Sequence, residues 1–349
     1  MSEKVIIRSA TVDRHGDYTT VEMLKDYANA VNGDLKMRYL ANHRRDIPPM
    51  GYFDEAELKQ VDGIHHVLVL PIEYDKIDPV EWDDSLVMNS QNISIPLLSR
   101  NTEKPGEHIT FSVDKNNFQN ISDLNITGGQ INRAFEGKVA LQLDMRKELF
   151  PDPRIVITLA PYAVILYPLV KPFLKKMGEK ISEDIADDIY KKLKSEGKKL
   201  LSRISLSVQL TRGKMIPADK TLLIIFEIPG DPYIELHIRS DDPTKVEKGL
   251  QPAKLASVHQ KVSDLQRYVD ISEIYFILNN KNKWEFSYLL TIDGKVIGTK
   301  IAFKKRDKLV TRINLSPTKA FSVGASGVVY ERRRLPSPDS ENLSGLENV

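Results

Sequence analysis

Residues 40–53 read LANHRRDIPPMGYF, and the fold of the N-terminal half turns on them. Pro48 and Pro49 forbid a helix, because proline lacks an N–H and its ring pushes the preceding residue out of the helical region. The run LKMRYLANHRRDIPPMGYF is therefore a short strand entering a loop, with His43 at or near the strand end. Upstream, KVIIRSATV (4–12) has strand character, and DRHGD after it has the residues of a reversal. Val21, Leu24, Tyr27, Ala28 and Val31 then recur at helical spacing up to an Asn32-Gly33 stop. Downstream, GIHHVLVLPIEY (63–74), QNISIPLLS (91–99), HITFSVD (108–114) and ISDLNIT (121–127) are strand candidates, and DPVEWDDSLVMNS (78–90) is a short-helix candidate. Together they predict a mainly antiparallel β-domain over residues 1–150.

The chain has 349 residues, which is long for one average domain and predicts two. Fifty Lys and Arg against 48 Asp and Glu leave a net charge of +2, so no global field selects a nucleic acid, an anionic membrane or an acidic substrate. Zero cysteines exclude disulfides, thiolate metal sites and a cysteine nucleophile. The start is polar within three residues, which predicts no secretory signal and a cytoplasmic address. Composition shifts after residue 150. Arg154 and Lys171 bracket 16 uncharged residues containing Pro161 and Pro168, fewer than the roughly 20 a spanning helix needs. Membrane contact through 155–174 is thus the weaker expectation against packing on protein. Ile181, Ile185, Ile189 and Leu193 predict a charged helix over 178–201, which makes 151–204 a linker. Beyond it, TLLIIFEIPG, ISEIYFILNN, KWEFSYLLTI and KVIGTKIAFKK have strand character, a helix covers roughly 253–268, and Asp293-Gly294 marks a hairpin. Residues 205–335 are expected to form an α+β recognition domain with an antiparallel sheet, and 336–349 a disordered tail.

None of the seven histidines has the spacing of a metal-ligand motif, and no phosphate-binding glycine loop is present, so neither metal nor cofactor is expected. Residues 300–334 are rich in Lys and Arg against only Asp307 and Glu331. Trp284, Phe286 and Tyr288 alternate along one strand, which predicts burial of all three against the 253–268 helix rather than base stacking. Nucleic acid is accordingly not the favoured partner. A serine, a histidine and a carboxylate on separate segments of 1–150 supply the minimum set for acyl transfer.

The words around those residues resemble a known series. VDRHGD at 12–17, LANHRRDIPPMGYF at 40–53, VDG at 61–63 and NISIPLL at 92–98 are similar to motifs of the prohead (capsid maturation) proteases of tailed bacteriophages. The His43-to-Ser94 interval is 51 residues, and ISDLNITGGQINRAFEG places Asp123 and Asn132 nine residues apart as in that family. The resemblance, over roughly residues 5–140, implies a herpesvirus-assemblin-like antiparallel β-barrel in an α+β chain. It implies Ser94 as nucleophile, His43 as general base and Asp123 orienting the imidazole. The expectation is a serine endopeptidase acting on a protein or peptide, compatible with a homo-oligomer and with a phage, prophage or bacterial defence origin. Two departures stand out: Asp123 where Glu is commoner, and Pro96 where the family has Gly, which removes an N–H next to the nucleophile. The alternatives are a protease-fold binding or sensing protein that has lost turnover, and a membrane-associated effector.

Overall fold

Two sheets, not two consecutive domains, organise the chain. A computed structural model describes residues 4–12, 17–74, 77–89, 95–100, 109–144, 152–159, 199–314, 320–323 and 328–331. The first sheet is antiparallel throughout, in the order β1 (Val5–Ser9), β4 (Ile64–Glu73), β3 (Gly51–Val61), β2 (Arg38–Leu40), β15 (Ala320–Val323), β16 (Val328–Glu331). Its last strand returns beside β1, giving a half-barrel. Asp62 and Gly63, both at positive φ, join β3 to β4 in a two-residue turn whose twist suits a hairpin. Helix α1 (Val21–Val31) starts where the Thr20 hydroxyl accepts from Met23 N, and it buries Leu24, Ala28 and Val31 in the half-barrel.

The second sheet has ten strands. Its order is β5 (Ile77–Val80), β6 (Asp83–Asn89), β14 (Val296–Thr299), β13 (Trp284–Thr291), β12 (Ile271–Leu278), β11 (Tyr233–Arg239), β10 (Leu223–Ile228), β9 (Arg154–Thr158), β7 (Ile109–Asp114), β8 (Val139–Asp144). One face is apolar: Ile155, Ile157, Ile224, Phe226, Leu236, Ile238, Ile274 and Phe276 lie there. Helices α2 (Ile121–Ala134), α3 (199–212), α4 (Thr244–Gly249) and α5 (Pro252–Leu265) cover that face with Leu124, Ile131, Ile204, Val208, Val246, Leu255 and Val262. Each such side chain contributes roughly 1.5–3 kcal/mol by leaving water, which makes this the main source of cohesion. Helix α6 (Lys300–Asn314) bridges the sheets, placing Phe303 in the seam between them and Ile313 in the half-barrel core.

The mixed α+β class holds, but several expectations need correction. The boundary at 150 separates nothing, because β6 pairs with β14 and β9 with β10, and because β15 and β16 complete the half-barrel. Residues 154–158, expected in a linker, form a buried strand of the second sheet, flanked by β7 and β10. That sheet is mixed, with β7–β8, β9–β10 and β11–β12 parallel. The 121–127 strand candidate is the start of α2. Asn120 accepts from Asp123 N and donates to its carboxylate, a reciprocal cap that favours a helix. Residues 78–89 form a hairpin rather than a helix. Ser287 is an extra residue in β13, since Tyr275 pairs with Tyr288 but Phe276 with Phe286. This bulge turns Tyr288 into the inter-sheet seam, whereas Trp284 and Phe286 pack on the helix side. The apolar run beyond Leu159, the helix expected over 178–198 and the tail 336–349 lie outside the described residues.

Candidate functional site

The second face of the ten-stranded sheet is buried but polar. Alternation along β11 sends Ile234, Leu236 and Ile238 to the helices, and Tyr233, Glu235 and His237 to the opposite side. Glu227 of β10, with Glu273 and Tyr275 of β12, joins them there. Onto this face the half-barrel lowers the stretch 38–50. Asn42 and His43 adopt left-handed backbone angles (φ 47° and 52°), a sharp reversal that directs the following arginines at the sheet.

The ion pairs are specific. Arg38 grips Glu273 through both terminal nitrogens, at 2.6 and 2.7 Å, and also donates to the Tyr275 hydroxyl (2.9 Å) and the Leu98 carbonyl (2.8 Å). Arg45 donates to both oxygens of Glu235 at 3.1 Å and to Glu227 at 2.6 Å. Thr158 holds the other Glu227 oxygen, and the His237 Nε2 lies 2.8 Å from Glu235. Arg100 gives its backbone N–H to Glu273 at 2.6 Å and places its side chain 3.6 Å from Glu235. Three guanidinium groups thus face three carboxylates, with Glu235 and Glu273 both wholly buried. Tyr288 stacks on Tyr275, ring centroids 4.2 Å apart, and donates to the Arg45 carbonyl. At the margin, Arg44 is paired with Asp46, and Arg239 and Lys220 reach Asp152.

Burial alone would raise the Glu235 carboxyl, but the Arg45 charge, the His237 hydrogen bond and the Arg100 charge outweigh it and hold it below the usual carboxylate range. Glu273 is likewise driven up by burial and, on balance, held down by Arg38. Burial pushes the Tyr275 hydroxyl up, reinforced by Glu273. A carboxyl whose folded pKa lies below its unfolded value of about 4.5 stabilises the fold fully above that value and loses the contribution as pH falls. The melting temperature is therefore expected to drop steeply between pH 5 and pH 3. A flat profile over that window, measured by circular dichroism, would contradict the charge assignment.

The three residues expected to act together are placed as follows. Ser94 lies outside the described residues. His43 is buried, and its carbonyl accepts from Arg154 at 3.2 Å. Asp123 sits in the first turn of α2, where its carboxylate is held by Asn120 (3.0 Å) and Lys214 (3.1 Å), and His43 is not among its hydrogen-bond partners. Ile95, the residue after Ser94, gives its N–H to the Asp293 carbonyl at 3.1 Å. Pro96 has no N–H, and its carbonyl accepts from Lys36. Glu227, Glu235, His237 and Glu273 were not picked out from the sequence. Their signal was a charged residue inside an otherwise apolar strand, as in IIFEI, YIELHI and ISEIYF. Among the described residues no group of three or more His, Asp or Glu side chains is arranged to hold a metal ion. No protein-family model, no curated protein and no solved structure matches the chain.

Proposed function

We propose that this chain is a binding or sensing protein, and that its protease-like motifs serve to join the two sheets rather than to hydrolyse peptides. One observation carries the reading. An acyl-transfer site needs donors aimed at the developing oxyanion, yet the N–H directly after Ser94 is committed to Asp293 and the next residue is a proline. The engagement of Asp123 by Lys214 and Asn120 supports it, because a histidine-orienting carboxylate has to face the imidazole. The run His43-Arg44-Arg45-Asp46 has a structural duty in its place: it inserts the guanidinium that neutralises Glu227 and Glu235. No helix among the described residues is long and apolar enough to cross a bilayer, and residues 160–174, on which the membrane-associated alternative rests, lie outside the described residues.

A fluorophosphonate probe tests this directly. The expected result is no labelling of the intact chain above that of Ser94→Ala. Stoichiometric labelling that disappears in both Ser94→Ala and a folded His43→Ala variant would instead establish the serine hydrolase. Turnover should then fall on the order of 10⁶-fold on loss of the serine.

A further inference from the structure

The basic strip of the C-terminal region changes meaning once its backbone is known. Read as a strand, KVIGTKIAFKK would scatter its lysines over two faces. In fact β14 ends at Thr299, whose hydroxyl accepts from Ala302 N, and α6 begins. At 100° per residue, Lys300, Lys304, Lys305 and Lys308 fall within an arc of ~140°, with successive i, i+4 members about 6 Å apart. All four are exposed and make no ion pair among the described residues. The only acid on the helix, Asp307, is tied to Arg306 at 2.9 Å. Arg306 in turn is buried against Asn89 and the Pro49 carbonyl, so the helix is a fixed rod.

A merely solvated face has no reason to look like this. Like charges at i, i+4 repel along an isolated helix, and lysine in the first turn runs against the helix dipole. Folding gains nothing from the row, whereas a polyanion would. We propose that the exposed face of α6 binds the phosphate backbone of duplex nucleic acid without reading its sequence. An anionic bilayer fits less well, because an interfacial helix inserts an apolar face, and here Phe303, Leu309, Val310 and Ile313 are already packed on protein, which leaves Ile301 as the single exposed large apolar side chain of α6. A single strand fits less well too, because it needs aromatic stacking platforms. The exposed large aromatic side chains among the described residues, Tyr18 and Tyr268, lie off α6, and Tyr268 is stacked on Trp82.

The lysine row shares no residue with the buried network and does not use Ser94, so it stands whichever way the fluorophosphonate experiment falls. The test is fluorescence anisotropy of the full chain with a labelled 20-base-pair DNA duplex, the matching single strand, and vesicles containing phosphatidylserine. With about four phosphates neutralised, affinity for the duplex should fall about 100-fold between 50 and 200 mM salt. Lys304→Gln/Lys308→Gln should weaken binding at least tenfold and reduce the slope of log K against log salt by about 1.8. Lys281→Gln/Lys283→Gln, in the β12–β13 turn, should leave binding unchanged, as should Ser94→Ala. The proposal is overturned by absence of duplex binding at 50 mM salt. It is equally overturned by an undiminished slope in the folded double variant, or by tighter binding to the single strand or the vesicles.

Discussion

Replacing Glu235 with alanine is expected to destabilise the folded chain by about 3–5 kcal/mol, because removing one member of a buried ionic group leaves the others desolvated and uncompensated. Glu235 is wholly buried and answers Arg45, His237 and the side chain of Arg100 together. Its loss leaves Arg45 with Glu227 as its one carboxylate on the sheet, beside the Tyr233 hydroxyl. The same logic predicts that apolar repacking of both partners, Arg45→Met with Glu235→Leu, recovers much of the loss, since buried pairs are often no more stabilising than hydrophobic groups of similar volume. Urea unfolding of the two single variants and the double variant gives the coupling directly. A loss below about 1 kcal/mol for Glu235→Ala would mean that water reaches this face and that the network is not a latch.

Why that latch escaped sequence reading is physical. Strand periodicity reveals which side of a strand a residue faces, as in β11, where Ile234, Leu236 and Ile238 lie opposite Tyr233, Glu235 and His237. It does not reveal what lies opposite. The apposition of Arg45 to Glu235 spans 190 residues of chain, and nothing local in either segment encodes it. Local signals served well where the decision was local. Asp293-Gly294, expected to mark a hairpin, is a turn with its glycine at positive φ, and the Asn32 stop ends α1. They failed where two local signals competed. In residues 120–127 the alternation of ISDLNIT outweighed the Asn120–Asp123 cap, yet the cap marks the true element. At Thr299 the strand continues directly into a helix through a threonine cap, and the glycine beside it, Gly298, is still a paired residue of β14 and marks no turn. Domain order was misjudged for a similar reason: β6–β14 and β9–β10 pairing is long-range, whereas composition is read along the chain.

The segment beside Ser94 supplies the second large effect. Gly294 has φ 85°, and a Cβ placed on it would lie 1.8 Å from the Ile95 carbonyl oxygen, a backbone atom that cannot rotate away. Gly63 has a similar φ, 78°, in the two-residue turn between β3 and β4, but its Cβ would meet nothing within 4 Å. The two glycines therefore separate backbone strain from collision within one molecule. Gly63→Ala is expected to cost about 1–2 kcal/mol, the left-handed penalty for an L-residue. Gly294→Ala carries that penalty plus an overpacking cost of roughly 1–3 kcal/mol. The damage should spread along a defined route. Ile95 would lose its bond to Asp293, and Leu98 and Arg100, which reach Arg38 and Glu273, lie only a few residues further on. Amide exchange at Ile95 and Leu98 should accelerate in Gly294→Ala and stay at the native rate in Gly63→Ala. Equal losses for the two variants would show that the 293–294 turn does not clamp Ile95, which would return that N–H to the neighbourhood of Ser94 and remove the main support for a non-hydrolytic protein.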